Sequence, residues 1–310
     1  MDPVTHSLIG AALAETGLAR RTGLGTATLL IGANLPDLDV LAYFGGPTFA
    51  LAARRGWTHG VLAMAVLPFV LTTAIVWWDR VARRRGADRQ PVVPAQVLFL
   101  ATLAILTHPV LDYLNVYGIR WLMPFDDRWF YGDVLFIVDP WVWGLLAAGV
   151  WLARRTPRRP RVARGALALT TVYVALMGVS MLAARRAVIR RLPASDTVQR
   201  MMVAPVAGNP FRKWVVLEQD ARYRVGGFSW VGAPGFRYAD LTVLSRRDDQ
   251  PAVRAAAAAP DMDHFLYWAR FPFFVVESRA AGTVVHAVDA RYAVDPEASF
   301  GAVTVEADRK

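Results

Sequence analysis

The chain has 310 residues, 55% of them hydrophobic, and a formal net charge of +10. Its mean hydropathy of +0.31 is too apolar for an ordinary soluble protein and reads as a membrane protein. The absence of cysteine excludes disulfides, thiolate nucleophiles and Cys-based zinc sites. The arginines cluster at the ends of apolar segments, so the positive charge is assigned to membrane-flanking loops and lipid headgroups, and no nucleic-acid partner is expected.

The start Met1-Asp2 lacks a basic region, so a cleaved signal peptide is not expected. From Leu8 to Phe44 an apolar region is broken by Glu15, Arg20, Arg21 and Asn34–Asp39. It reads as two short helices, Leu8–Ala19 and Leu24–Leu35, with a single span over Leu24–Phe44 as the alternative. A full span needs roughly 20 apolar residues. Val61–Trp78, Val97–Leu114, Val134–Leu152 and Ala166–Ala184 meet that need. Arg80, Arg83, Arg84, Arg85 and Arg89 follow the first of these, and Arg154, Arg155, Arg158, Arg159 and Arg161 follow the third. Both loops are expected to be cytoplasmic. Arg54-Arg55 and Arg185, Arg186, Arg190 and Arg191 then fall on the outer side, against the rule.

After Arg191 the composition changes. Lys213–Gln219, Arg222–Trp230, Tyr238–Leu244, Phe273–Ser278, Thr283–Ala290 and Ala302–Glu306 read as strands. Pro251–Ala259 and Met262–Phe271 read as short helices, and Val225-Gly226-Gly227 and Ala233-Pro234-Gly235 as turn or bulge signals. The expected fold class is an α-helical integral membrane domain of about five to six membrane helices, followed by a small α+β, β-rich soluble domain. The domains are residues 1–191, holding the polar motifs, and residues 192–310, placed in the periplasm.

Five motifs set ionisable groups in or beside apolar stretches: Asp2-Pro3-Val4-Thr5-His6, Asn34–Asp39, Arg55-Gly56-Trp57-Thr58-His59, His108-Pro109-Val110-Leu111-Asp112, and Asp133 with Asp139. Such groups are expensive at membrane depth and ask for a functional reason. With topology assigned from arginines alone, all five converge on one face of the membrane. His with Asp is the ligand set of a catalytic site for zinc, manganese or iron. His108 and Asp112 are four apart, so a helix puts both on one face. Asp37 and Asp39 are two apart and point the same way on an extended turn. Pro109 is expected to kink its helix, Asn34 to cap a turn or hold a ligand carboxylate, and Thr5 and Thr58 to support the adjacent histidines. Arg55 suits an anionic oxygen such as phosphate. Asp133 and Asp139 are candidates for a further ligand or the base, although Asp139 before Pro140 and Asp2 before Pro3 equally fit helix N-caps. The tryptophans read as an aromatic belt, and His264 and His286 as incidental.

Taken together, the Asp2–His6, Asn34–Asp39, Arg55–His59 and His108–Asp112 motifs resemble the membrane-bound metal-dependent hydrolases of the YdjM/YbcI type (the domain of unknown function 457 group). The resemblance covers about residues 1–150 and implies a divalent metal, a hydrolase and residence in the bacterial inner membrane. It carries the ligand role onto His6, Asp37, Asp39, His59, His108 and Asp112. The His-x-x-x-Asp element is also similar to those of zinc phospholipase C and P1-type nucleases, but the additional histidines of their three-zinc site are missing here. The reading that follows is a multi-pass hydrolase with its site at the outer membrane–water boundary. Zinc is the first choice of cofactor, with manganese or iron as alternatives. Membrane lipids are the expected surroundings, and an amphiphilic or lipid-linked phosphoester the expected substrate. The rival readings are a metal or proton transporter and an anchor displaying a periplasmic binding domain.

Overall fold

The computed structural model describes residues 1–82, 89–232, 235–280 and 282–307. Arg83, Arg84 and Arg85 of the expected cytoplasmic loop, and Ala233 and Pro234 of the expected turn, lie outside the described residues. The chain divides into two compact units. One comprises Met1–Asp39 and Arg55–Val179, the other Val40–Arg54 and Ser180–Lys310.

The first unit is helical. Helix α1, Pro3–Glu15, starts where Asp2 accepts the Thr5 N–H and Pro3 occupies the first turn. An Asp cap satisfies an otherwise orphaned N–H, and a proline there loses no donor the helix needs. Gly17 at φ 97° ends it, because a residue without Cβ reaches that conformation at little cost. Helix α2, Gly25–Asn34, is followed by a 3-10 segment, Leu35–Gly45, so the alternative single span over Leu24–Phe44 does not form. Helices α4, Val61–Val81, and α5, Pro94–Tyr113, come next; α5 continues through Pro109. Helix α6, Pro140–Arg154, precedes α7, Arg159–Ile189, whose residues from Ser180 onward belong to the second unit.

Among the described residues, three helices are long and apolar enough to cross a membrane: α4, α5 and α7. The expected five to six spans are not reached. At 1.5 Å per residue, α1 and α2 rise only about 20 and 15 Å against a hydrocarbon core of about 30 Å. The expected Val134–Leu152 span is shortened because Val134 and Leu135 both donate their N–H to Leu114 O at 2.9 Å. Asp139-Pro140 then opens the helix, leaving 15 residues.

Helix α5 is central. Its Val97, Ala101 and Ile105 pack on Leu71 and Ile75 of α4, while Leu100 and Ala104 pack on Leu29 and Ala33 of α2. Small residues allow the close approach: a Cβ on Gly32 would meet Ala104 Cβ at 3.0 Å, and one on Gly10 would meet Leu29 O at 2.8 Å. Such residues are the usual means of packing helices where lipid removes the hydrophobic drive.

The second unit contains a short helix α3, Pro47–Ala53, and is otherwise β-rich. Strands β1, Arg200–Val206, β2, Asn209–Gln219, β3, Arg222–Ser229, and β4, Thr242–Ser245, form an antiparallel sheet in sequence order. Strands β5, Pro272–Arg279, β6, Gly282–Asp289, and β7, Ala302–Ala307, form a second. Helices α8, Pro251–Ala256, and α9, Pro260–Trp268, lie between them in the chain. β1 and α3 are additions to the sequence reading, and the expected Tyr238–Leu244 strand is a 3-10 turn followed by β4. Alternating residues of β2 and β3 supply a core of Val215, Leu217 and Phe228, closed by Ala184 and Val188 from the end of α7.

Candidate metal centre

Five of the expected ligands meet in the first unit. His6 comes from the first turn of α1, Asp37 from the 3-10 segment, His59 from the turn before α4, and His108 with Asp112 from the last turns of α5. His6, His59, His108 and Asp112 are fully buried and Asp37 nearly so. Asp112 is the hub. Its Oδ1 lies 3.3 Å from His6 Nε2, and its Oδ2 lies 3.2 Å from His59 Nε2 and 3.5 Å from His108 Nε2. Asp37 Oδ1 lies 3.7 Å from His108 Nε2 and 4.0 Å from His59 Nε2. Two ligand groups result, His6/His108/Asp112 and Asp37/His59/His108.

The partners on the far side of the rings fix the protons. His108 Nδ1 is 2.7 Å from Ala33 O, an acceptor only, so Nδ1 carries the hydrogen. His59 Nδ1 faces Asp39 Oδ2 at 3.2 Å and Thr58 Oγ1 at 2.9 Å, and Thr58 in turn donates to Asp39 at 3.2 Å. A carboxylate accepts, so His59 is also protonated at Nδ1. Both Nε2 atoms therefore present bare lone pairs, and they stand only 3.1 Å apart. Neither can donate to the other. Burial pushes His59 below the ordinary imidazole pKa, against the pull of Asp39, which keeps it neutral. His6 stacks on His108 at 3.6 Å, and neither of its ring nitrogens has a hydrogen-bond partner.

Converging lone pairs and carboxylate oxygens are what a cation requires. Bonds of about 2.1 Å at tetrahedral angles separate ligand atoms by about 3.4 Å, close to the 3.1–3.5 Å separations among His6, His59, His108 and Asp112. The donor set therefore fits a divalent ion such as zinc, and it fits the pattern in which an outer carboxylate or carbonyl orients each ligand imidazole.

The remaining expected residues have other places. Asp39 touches the outer nitrogen of His59 and accepts the Arg55 N–H at 2.7 Å, so it orients a ligand from outside both ligand groups. Arg55 is turned inward. Its Nε lies 3.1 Å from Asp112 Oδ2, its guanidinium donates to Asn115 Oδ1, Gly118 O and Met1 O, and it lies over the Tyr117 ring. It holds Asp112 in place. Asp139 caps α6 through the N–H groups of Trp141 and Val142 and accepts from Tyr173. Asp133 is buried at φ 56° and belongs to neither ligand group. Asn34 joins α1 to α2, accepting from Ser7 and donating to Leu30 O. Thr5 supports Asp2 rather than His6, and Trp143 donates to both Asp2 and Thr5. Asn115, Tyr117 and the Ala33 carbonyl were missed. Only Asn115, three residues past Asp112, carried a hint in its spacing.

Residues 1–186 match the family model described as YdjM inner membrane protein. Over 232 residues the chain is 22% identical to the Bacillus subtilis (strain 168) protein named "Uncharacterized protein YfhP", which covers 69% of this chain and 64% of that protein. The chain thus spans less than two thirds of that relative. No solved structure matches it. The matched residues contain every member of the His/Asp centre and all three apolar spans begin within them: the chain belongs to the YdjM inner membrane protein family.

Proposed function

We propose that this protein is a membrane-bound hydrolase that works with a divalent cation held by His6, His59, His108, Asp112 and Asp37. The observation that carries the reading is the pair of bare Nε2 atoms of His59 and His108 facing each other at 3.1 Å beside Asp112. A cation held there would supply activation of a water and polarisation of a phosphoryl or carbonyl oxygen. The chain supplies the rest. Asp112 and the three imidazoles fix the site, and Arg55 and Asn115 hold the arrangement from behind. Asp37 is the most open of the cluster's carboxylates, with about a tenth of its side chain exposed; its Oδ1 faces His59 and His108, and its Oδ2 is the oxygen we assign as base. In phosphoester hydrolysis a water oxygen bonds to phosphorus as its proton passes to Asp37. The ester P–O bond breaks, and the leaving oxygen takes up the proton that Asp37 accepted, which returns the carboxylate. An amphiphilic phosphoester is the substrate class that suits a centre at the end of membrane helices. The ligands gather at one place instead of spreading along α5, which favours hydrolysis over ion transport.

The test is metal content of the purified full-length protein, by inductively coupled plasma mass spectrometry, beside a His59→Ala/His108→Ala variant. About one or two equivalents of zinc, manganese or iron, lost in the variant, are expected. Absence of metal from both samples after reconstitution with added ions would sink the assignment. With metal established, a screen of lipid phosphoesters tests the reaction.

A further inference from the structure

A cavity of about 440 Å³ opens between α2 and α4, wholly within the first unit and apart from the His/Asp centre. Helix α2 and its two ends line it with Leu24, Ala27, Ile31 and Leu35, spaced as one helical face. Helix α4 lines it with Val70, Ala74 and Trp78, again one face. Each face has an alanine in its middle, and the short side chains of Ala27 and Ala74 leave the gap open. The walls are aliphatic and tryptophan side chains, so a water there would lack the polar partners it needs. Helix α4 is long and apolar enough to cross a membrane, which sets this groove among acyl chains.

The groove has a direction. Leu35 leads into Asp37 of the centre, and α4 begins just after His59, which belongs to the same ligand group. The two helices therefore run antiparallel, and Leu24 and Trp78 share the end away from the centre. From Val70 to Trp78 the groove is about 12 Å long at about 1.5 Å per residue. Half of a bilayer's hydrocarbon core is about 15 Å, so the groove is about one leaflet deep. Arginines stand at its far end. Arg20 and Arg21 come just before Leu24, Arg80 follows Trp78 closely, and all three are exposed. Gln90 donates to Arg20 O, which brings Arg89 to the same end. These arginines outweigh the one acid in the last turn of α4, Asp79. Among the described residues, Arg20, Arg21 and Arg80 make no ion pair with a carboxylate, whereas Arg154 and Arg159 share Glu15. A positive rim over an apolar slot complements an anionic headgroup over its chain.

We propose that the α2–α4 groove holds an acyl chain of an anionic phospholipid whose phosphate is met by Arg20, Arg21 and Arg80. The chain completes the packing that Ala27 and Ala74 leave open, and the headgroup neutralises the rim. The site lies at the opposite end of α4 from the centre, so this lipid fastens α2 to α4 and is not the substrate. The proposal does not rest on the hydrolase reading.

The test uses the full-length protein, stripped of lipid in detergent, titrated with phosphatidylglycerol or phosphatidylcholine and read by native mass spectrometry. The expected result is a first lipid bound several-fold more tightly as phosphatidylglycerol than as phosphatidylcholine. Ala27→Leu/Ala74→Leu, which fills the gap, should weaken that first step several-fold for both lipids. Arg20→Gln/Arg21→Gln/Arg80→Gln should erase the preference and leave the phosphatidylcholine affinity unchanged. Melting temperatures show whether each variant folds; should the double leucine variant fail to, Ala27→Leu and Ala74→Leu singly decide, each with a smaller loss. Equal affinity of the wild type and a folded leucine variant overturns the site and leaves the groove to a second copy of the chain. Equal affinity of the wild type for both lipids, or a preference that survives the loss of the three arginines, overturns the anionic headgroup.

Discussion

Each ring of the His59/His108 pair is turned by a different kind of group, an Asp39 carboxylate for one and the Ala33 carbonyl for the other. Asp39→Asn keeps the size of the side chain but removes the charge that holds the His59 proton on Nδ1. Metal affinity is expected to fall about 10–100-fold, read by competition with a chelator; unchanged affinity would show that Asp39 does not set the tautomer. Asp139→Ala should do the opposite. It removes the α6 cap, costs about 1 kcal/mol of stability, and leaves metal stoichiometry intact; lost metal would return Asp139 to the ligand set. At this scale the histidines were legible, because an imidazole beside an apolar stretch has few other uses. The division of labour among the aspartates was not. A ligand, a helix cap and an orienting carboxylate are the same side chain, told apart only by which N–H or imidazole stands opposite. Tyr117 was hidden because the loop after α5 returns it to Arg55 through a contact that has no sequence period, and Asn115 had only its spacing from Asp112 to betray it.

The α2–α5 contact carries both packing and chemistry, since Ala33 of α2 holds His108 of α5. Gly32→Leu would force a side chain against Ala104 and Leu71. Overpacking of this kind costs about 1–3 kcal/mol, and here it should lower metal retention along with thermal stability. Gly144→Ala on α6 meets nothing within 4 Å and should leave both unchanged or slightly raise stability, as alanine favours a helix over glycine. Equal behaviour of the two variants, measured by melting and metal content, would remove the α2–α5 contact from the argument. Helix positions were readable from apolar runs and from the Asp-Pro starts at Asp2 and Asp139. Span number was not, because hydropathy counts apolar residues without regard to where a helix begins: Val134 and Leu135 are as apolar as a span needs but are bonded to Leu114. Helix α3, at seven residues, is too short to show a period.

Over the first unit, charge is sorted along α4 and α5, whereas α7 carries arginines at both ends. Helix α4 begins just after His59 and has Arg80 in its last turn, and α5 starts at Pro94 and has Asp112 in its last turn, so Arg80 and the centre mark opposite ends of these helices. Gln90 donates to Arg20 O, and the Gly23 N–H to Pro91 O, which gathers Arg20, Arg21 and Arg89 at the arginine end. If positive residues mark the cytoplasm, a cysteine introduced as Arg158→Cys should react with an impermeant maleimide only in inverted vesicles. Asp126→Cys, in the loop near the centre, should react only in right-side-out ones. The reverse pattern would place the centre in the cytoplasm. The family and the two-part character of the chain, helical then β-rich, were legible in the motifs and composition. The attachment of Val40–Arg54 to the second unit was not, because nothing local to those residues announces a long-range partner.

His108 belongs to both ligand groups, yet its Nδ1 is committed to the Ala33 carbonyl and its Nε2 has a single lone pair. One imidazole therefore cannot complete two sites together. The first ion to arrive settles the ownership of that lone pair, and any later ion must manage with the carboxylates and one fewer nitrogen. A titration of the metal-free protein should accordingly bend into a tight step and a much weaker one, with the weak step alone surviving when His108 is replaced.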